Sequence, residues 1–224
     1  MSIPVIRNIR IKKFIFSVIF VTSLGFIVYS LHGFWVQYAA THRTPIVVQP
    51  DNIITYSTDT PDETLPLCEE SNFSASQPRY IDLPTIGASG CIQKIGIDQH
   101  NNMAVPNNIH LAGWYINSAK PGQGNLSIID GHSGGRYLDG IFKHLADLKI
   151  RDQFTVEFGN KSIKTFQVVS VTNYSVDEAA KKMLEQDADI QSQLNLITCG
   201  SSYNNNLHKY EDRILVVARN VEST

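Results

Sequence analysis

The sequence predicts an all-β domain with minor helices, a closed barrel or a sandwich, carried behind one N-terminal transmembrane helix. Three observations predict it. A long uncharged apolar stretch opens the chain, with a basic cluster before it. From Tyr80 onward, short apolar runs of strand length alternate with turn residues at close spacing. Helical periodicity is scarce, and many short strands with little helix suit a closed barrel or a sandwich.

The N-terminus comes first. Arg7, Arg10, Lys12 and Lys13 lie together without an acid, and no Asp, Glu, Lys or Arg occurs from Phe14 to Thr41. Residues 14–36, at about 1.5 Å per residue, match the roughly 30 Å of bilayer hydrocarbon. Trp35 and Tyr38 stand at the far end, where amphipathic rings favour the interface. The basic tail, residues 1–13, is expected to stay in the cytoplasm, leaving the rest of the chain outside. The rival is a cleaved signal peptide. This apolar stretch is longer than a signal peptide's, and Tyr38-Ala39-Ala40 is a poor cleavage site.

Residues 37–79 read as an extracytoplasmic linker. Pro45, Pro50, Pro61, Pro66 and Pro78 punctuate a polar segment that cannot bury enough apolar surface to offset the entropy of ordering. Ile46-Val47-Val48 is strand-like but isolated. No internal repeat is visible.

Residues 80–224 form the predicted domain. Strands are expected at Tyr80–Leu83, Cys91–Ile97, Leu126–Ile129, Phe154–Phe158, Phe166–Val171, Leu194–Thr198 and Ile214–Ala218. Gly159-Asn160 reads as a hairpin turn between two of them. Helices are expected at Asp139–Leu148, with Ile141, Leu145 and Leu148 on one face, and at Ser175–Gln186, capped by Ser175. The hydrophobic fraction of 42% permits a core, and the net charge of −2 with no basic stripe argues against nucleic acid.

The chain has three cysteines, Cys68, Cys91 and Cys199. Cys68 and Cys91 either pair, as an exported compartment permits, or stand as two thiols; the sequence leaves both open. Either way Cys199 is the odd one, which flags a reactive thiol. It ends the apolar run from Leu194 and precedes Gly200-Ser201-Ser202. A nucleophile needs that placement, held by a rigid element yet reachable. A buried cysteine acting as a small hydrophobe is the bland alternative.

A thiol attacks as thiolate and needs a neighbour to activate it. Of seven histidines, His32 lies in the apolar span and His42 in the linker. His100, His110, His144 and His208 have no distinguishing neighbours. His132 does: it follows the strand ending Ile129-Asp130-Gly131 and opens Ser133-Gly134-Gly135. This glycine-rich loop lacks the spacing of a phosphate loop. Arg213 opens the last apolar strand. A strand beside Leu194–Thr198 would return Arg213 to Cys199, where a guanidinium offers rigid donors to a developing oxyanion. Pairing with Glu211 or Asp212 is the bland reading.

Ile129-Asp130-Gly131-His132, then Asn195-Leu196-Ile197-Thr198-Cys199, then Arg213-Ile214-Leu215-Val216 resemble the sortases. Those enzymes carry a histidine at a strand end, a T-L-x-T-C strand and an arginine opening the last strand. Order and spacing match over about residues 80–220, nearest to short class E or F members. Asn195 departs from the pattern, standing where the family usually has Thr. The resemblance implies an eight-stranded β-barrel and a cysteine transpeptidase, in the wider sense a thiol hydrolase. It implies Cys199, His132 and Arg213 as catalytic residues, with Thr198 and Asn195 beside the substrate. It also implies partners: exported proteins with a C-terminal LPxTG-like sorting motif, and an amine from a cell-wall precursor or a pilin lysine. No cofactor is expected. Asp177, Glu178, Glu185, Asp187 and Asp189 lack EF-hand spacing, so no required metal is expected. The rivals fit less well. The S-H-G-C-x-R of L,D-transpeptidases is absent, and papain-like peptidases place Cys before His. A non-catalytic anchored module would leave Cys199 unreactive.

Overall fold

A computed structural model describes residues 30–31, 60, 63–69, 72–98 and 101–221. The chain divides into two units, Met1–Pro45 and Ile46–Thr224. Almost all of the first lies outside the described residues, as do the expected span and basic tail, and so does Ile46-Val47-Val48. Among the described residues no helix is long and apolar enough to cross a membrane.

The second unit holds a closed eight-stranded barrel. Its strands are β1 (Pro78–Leu83), β2 (Ala88–Ile95), β3 (Ala112–Tyr115), β4 (Asn125–Gly131), β5 (Gln153–Phe158), β6 (Ile163–Ser175), β7 (Ser192–Cys199) and β10 (Asp212–Val221). A two-stranded hairpin, β8 (Tyr203–Asn204) and β9 (Lys209–Tyr210), interrupts the run between β7 and β10. Around the barrel the order is β1-β2-β3-β4-β7-β10-β6-β5. β2–β3 and β4–β7 pair in parallel, the other barrel neighbours antiparallel.

The sequence pattern explains which strands are central. β5 alternates buried and half-exposed residues, because only one face meets the core. β7 is buried at six consecutive positions between its two ends. Its Leu194 and Leu196 fill the barrel with Trp114, Phe154, Phe166 and Val216. Its Ile197 faces outward, into a second cluster with Ile128, Leu215 and Ala179. A strand buried on both faces has no polar side to alternate with, hence the continuous apolar run.

The outer cluster is roofed by α1 (Val176–Lys182). Ser175 caps it as expected: its hydroxyl accepts from the Glu178 amide, and Glu178 reaches back to the Ser175 amide. The helix stops at Lys182, short of the predicted Gln186. The second predicted helix does not form. Asp139–Leu148 folds as turns ending in a 3-10 segment, Leu145–Asp147. The amides of Gly140, Ile141 and Phe142 donate to Ser133, Ile109 and His132 carbonyls, so tertiary partners replace the helical ones. Ile141, Leu145 and Leu148 are nonetheless buried.

Cys68 and Cys91 form a disulfide. Part of the segment read as linker is therefore held on the barrel. Glu63 accepts from the Ile109 amide at 3.1 Å, and the Asn108 amide side chain donates to the Thr64 carbonyl at 3.2 Å. The crosslink spans 23 residues, and closing a loop of that size in the unfolded chain is worth about 3 kcal/mol. Cys68→Ser is expected to lower unfolding stability by that amount in urea titrations, with Cys199 still alkylated at the native rate. A loss under about 1 kcal/mol would mean the crosslink does not restrain the unfolded chain.

Candidate active site

β4, β7 and β10 lie side by side, and their ends meet at one edge of the outer face. Cys199 is the last residue of β7 and pairs with Arg213 of β10. Antiparallel partners project to the same side, so thiol and guanidinium share a face. On the other flank Asp130 of β4 lies beside Ile197, so the chain leaving β4 carries His132 toward the end of β7 where Cys199 stands. The three predicted residues thus form one row across neighbouring strands.

Local structure fixes each of them. After Cys199 the chain turns at Gly200, whose amide donates to the Asp212 carbonyl at 2.9 Å. A Cβ at Gly200 would come within 2.3 Å of the Asp212 carboxylate, so only glycine fits. That carboxylate also receives the Asn173 side-chain amide at 2.8 Å and the Ser202 amide at 2.9 Å. Burial alone would push the Asp212 carboxyl up, but the hydrogen bonds from Asn173, Ser202 and Ser201 outweigh it and hold it below the usual range. Asp212 thereby pins both the exit of β7 and the entry of β10. Arg213 donates through Nη1 to its neighbour's carbonyl, that of Asp212, at 2.8 Å.

His132 follows β4. Its carbonyl accepts from Phe142, and its Nε2 lies 2.8 Å from the Pro106 carbonyl oxygen. A carbonyl only accepts, so Nε2 carries a hydrogen and donates. Nδ1 is left as the nitrogen that can exchange a proton with a reacting group.

Burial raises the Cys199 thiol above its ordinary value; Arg213 pulls it back, while Asp130 and Asp212 push it further up. At neutral pH the site therefore rests mainly as thiol. Asp130 itself is buried and raised to about 6, chiefly by burial, with His132, the Gly131 amide and Arg213 acting against the rise. A cavity of about 340 Å³ opens beside Cys199, between the Ser133–Gly135 loop, Lys143, and Tyr203 with Tyr210 of the β8–β9 hairpin. The two tyrosine rings pack edge to face at 5.0 Å.

The two other predicted residues, Thr198 and Asn195, make hydrogen bonds within the protein. Thr198 alternates to the opposite side of β7, 3% exposed, with its hydroxyl donating to the Gly131 carbonyl at 2.6 Å, and it is among the residues lining the cavity. Asn195 is 0% exposed. Its amide donates to the Met183 carbonyl at 2.9 Å and its oxygen accepts from Gln193 at 2.8 Å. Both polar groups are occupied by the protein itself. The remaining described histidines stay outside the row: His144 pairs with Asp147, His110 meets the Glu63 carbonyl and His208 is exposed. Among the described residues no group of three His, Cys, Asp or Glu side chains could hold a metal ion. Glu178 and Glu185 serve the helix cap and a Lys182 pair.

Sequence reasoning passed over Asp130, Asp212 and the tyrosine hairpin. Asp130 left a signal, a lone acid closing an apolar strand two residues before His132. Asp212 left none, since its partners come from β6 and from the loop after Cys199.

A family model described as a sortase domain matches residues 81–221. Among solved structures, a lid mutant of sortase A from Corynebacterium diphtheriae is 27% identical. The match covers 66% of this chain and 71% of that one, with a TM-score of 0.51. The same enzyme without that mutation is 25% identical, with 67% of this chain and 63% of that one covered and a TM-score of 0.50. A pilus-related sortase C of Group B Streptococcus, 19% identical, with 72% and 76% covered and a TM-score of 0.50, shares the fold. No curated protein matches the sequence.

Proposed function

The chain belongs to the sortase family of cysteine transpeptidases, and we propose that it cleaves an LPxTG-like sorting motif in an exported protein and transfers the acyl group to an amine. The observation that carries this reading is the Cys199–Arg213 pair across β7 and β10, with His132 just past the end of the next strand. Cys199 Sγ attacks the carbonyl carbon of the motif's Thr. The Arg213 guanidinium faces the oxygen that becomes negative. The tetrahedral species collapses to a thioester and expels the amine of the following residue, which takes its proton from His132 Nδ1. An incoming amine, from a cell-wall precursor or a pilin lysine, returns a proton to Nδ1 and displaces the thiolate. Because the thiol is raised by burial, only a small share of molecules holds thiolate and imidazolium together. Thr198 and Asn195 act in this scheme by position. Thr198 ties β7 to β4 beneath the pair, and Asn195 holds the segment after α1 across the outer face. No cofactor enters any step.

The same reading places residues 14–36 in the membrane, the N-terminus in the cytoplasm and the barrel outside. The Cys68–Cys91 disulfide supports an oxidising compartment.

The test has two arms. The purified full-length chain is incubated with a library of sorting-motif peptides and weighed intact. The expected result is a thioester that maps to Cys199 and disappears when an amine is added. On intact cells, a membrane-impermeant thiol reagent is expected to label Cys199. If reagents modify Cys199 but no peptide does, the substrate class is wrong. If nothing modifies it, the chain is a non-catalytic surface or assembly module.

A further inference from the structure

The ring of His132 is held by a loop that the chain ahead of the barrel clamps from outside. We infer that Glu63, in that upstream chain, is a positioning residue for His132. It acts through the 106–110 loop, and the Cys68–Cys91 crosslink keeps it in place.

The contacts run inward to outward. His132 Nε2 donates to the Pro106 carbonyl at 2.8 Å. That bond selects the tautomer and leaves Nδ1 for the reacting proton. The backbone of His132 is held by the segment that follows it, where the Phe142 amide donates to the His132 carbonyl at 2.9 Å. Beside Phe142, the Ile141 amide donates to the Ile109 carbonyl at 3.0 Å. The 106–110 loop thus meets His132 twice, directly at Pro106 and through Ile141 at Ile109.

The same loop is bound by the upstream chain at Glu63 and Thr64. Glu63 Oε1 accepts from the Ile109 amide at 3.1 Å. The Glu63 carbonyl accepts from His110 Nε2 at 3.3 Å, and the Thr64 carbonyl accepts from Asn108 Nδ2 at 3.2 Å. Gln93 of β2 adds one further bond, its Oε1 accepting from the Asn107 amide at 3.3 Å. Asn108, Ile109 and His110 are therefore tied to two consecutive residues of a segment outside the barrel strands.

Apolar burial does not hold this segment down. Leu65 is 61% exposed and Leu67 83% exposed. A cavity of about 210 Å³, lined by Leu65, His110, Gly140 and Ile141 among others, adjoins it. A few hydrogen bonds, each worth little net, do not offset the entropy of ordering such a chain. The disulfide makes up the difference, because it tethers the segment beside the loop and raises its effective concentration there. Arg79 Nη1 adds a bond to the Cys68 carbonyl at 2.9 Å. The other end of the crosslink is equally well placed. Cys91 follows Gly90, where a Cβ would meet the His110 carbonyl oxygen at 2.6 Å and Ile141 Cδ1 at 2.8 Å. The crosslink is thus anchored where β2 packs on the loop and on the segment after His132. Loss of Glu63 or of the crosslink loosens the Pro106 carbonyl, and the imidazole loses the partner that fixes its tautomer.

The inference rests on the proposed transpeptidase reading, in which His132 Nδ1 moves the proton, and its test includes a readout that needs no substrate. Two full-length variants are compared with wild type. Glu63→Ala removes the acceptor for Ile109, and Cys68→Ala/Cys91→Ala frees the upstream segment. Each is expected to lower kcat by about five- to tenfold, the cost of a slightly misplaced proton carrier. KM for the peptide is expected to stay within about twofold, because neither change touches the cavity beside Cys199. Nitrogen NMR of His132, with the ring neutral, is expected to show one protonated and one bare nitrogen in wild type. In both variants the two signals are expected to draw together as the tautomers mix. Glu63→Gln keeps an oxygen facing the Ile109 amide and is expected to restore both kcat and the NMR signature. A wild-type kcat and signature in either loss variant overturn the inference, and so does a Glu63→Gln as impaired as Glu63→Ala. If wild type acylates no peptide, the transpeptidase reading fails, and the NMR signature alone judges Glu63. If Glu63→Ala melts before assay, wild type is reduced with dithiothreitol. Merging nitrogen signals then support the inference, and an unchanged signature overturns it.

Discussion

Cys199→Ser lowers kcat/KM for the acceptor reaction by on the order of 10⁴-fold or more, and Cys199→Ala leaves only background. The exchange of sulfur for oxygen is small in volume, and Cys199 sits half-exposed at a strand end, so the fold tolerates it. What is lost is nucleophilicity. The local field supplies one cation at Cys199, Arg213, against two anions, Asp130 and Asp212, and burial adds to the cost of an anion there. A thiol still yields some thiolate under these conditions; a hydroxyl, far less acidic, yields essentially none. The check is steady-state kinetics beside intact mass and thermal melting. The melting temperature is expected within about 2 °C of wild type, since a change at a half-exposed strand end is worth little stability. Activity of Cys199→Ser within tenfold of wild type would show that the nucleophile lies elsewhere. Loss of activity together with a collapsed melting temperature would show that the site, not the chemistry, had been removed.

Much of this site was legible in the sequence because strands carry their logic in short windows. The run Leu194–Thr198 identified a central strand, since a strand buried on both faces shows no alternation. Its end at Cys199, the end of β4 before His132 and the start of β10 at Arg213 then needed only neighbouring strands to meet, which the register supplies. The hairpin turn at Gly159-Asn160 and the Ser175 cap are equally local, and both stand. The Asp139–Leu148 pattern misled for a physical reason. Its apolar spacing reports burial, and burial was correct, but the backbone amides found partners in His132, Ser133 and Ile109. Periodicity says which side chains face the core and nothing about where the amides donate. The closely held segment from Glu63 to Cys68 was read as linker because its composition is that of one; a disulfide and Glu63 hold it instead. β3 was too short and too glycine-containing to be called a strand, and β8 and β9 are two residues each. The roles of Asp130 and Asp212 depend on which strands lie beside them, and no short window contains that information.

Arg213→Ala is the second large loss, about 10² to 10³-fold in kcat/KM, the usual cost of removing one oxyanion donor, or roughly 3 to 4 kcal/mol. Two functions leave together. The guanidinium opposite Cys199 draws the thiol back toward thiolate, so the midpoint for alkylation of Cys199 rises in the variant. Asp130 pushes the thiol the other way, so Asp130→Asn is expected to lower the same midpoint, and the two variants together separate a charge effect from a general disturbance of the site. The planar fork also matters. Its Nη1 is already held by the Asp212 carbonyl at 2.8 Å, which orients the remaining donors before substrate arrives. Arg213→Lys keeps the charge and loses the fork. It is expected to restore most of the alkylation midpoint and little of kcat/KM, because the field acts at a distance and the oxyanion requires placed donors. Full recovery of kcat/KM in Arg213→Lys would reduce Arg213 to a charge. An unchanged alkylation profile in Arg213→Ala would remove it from the thiol's environment and leave the oxyanion role alone.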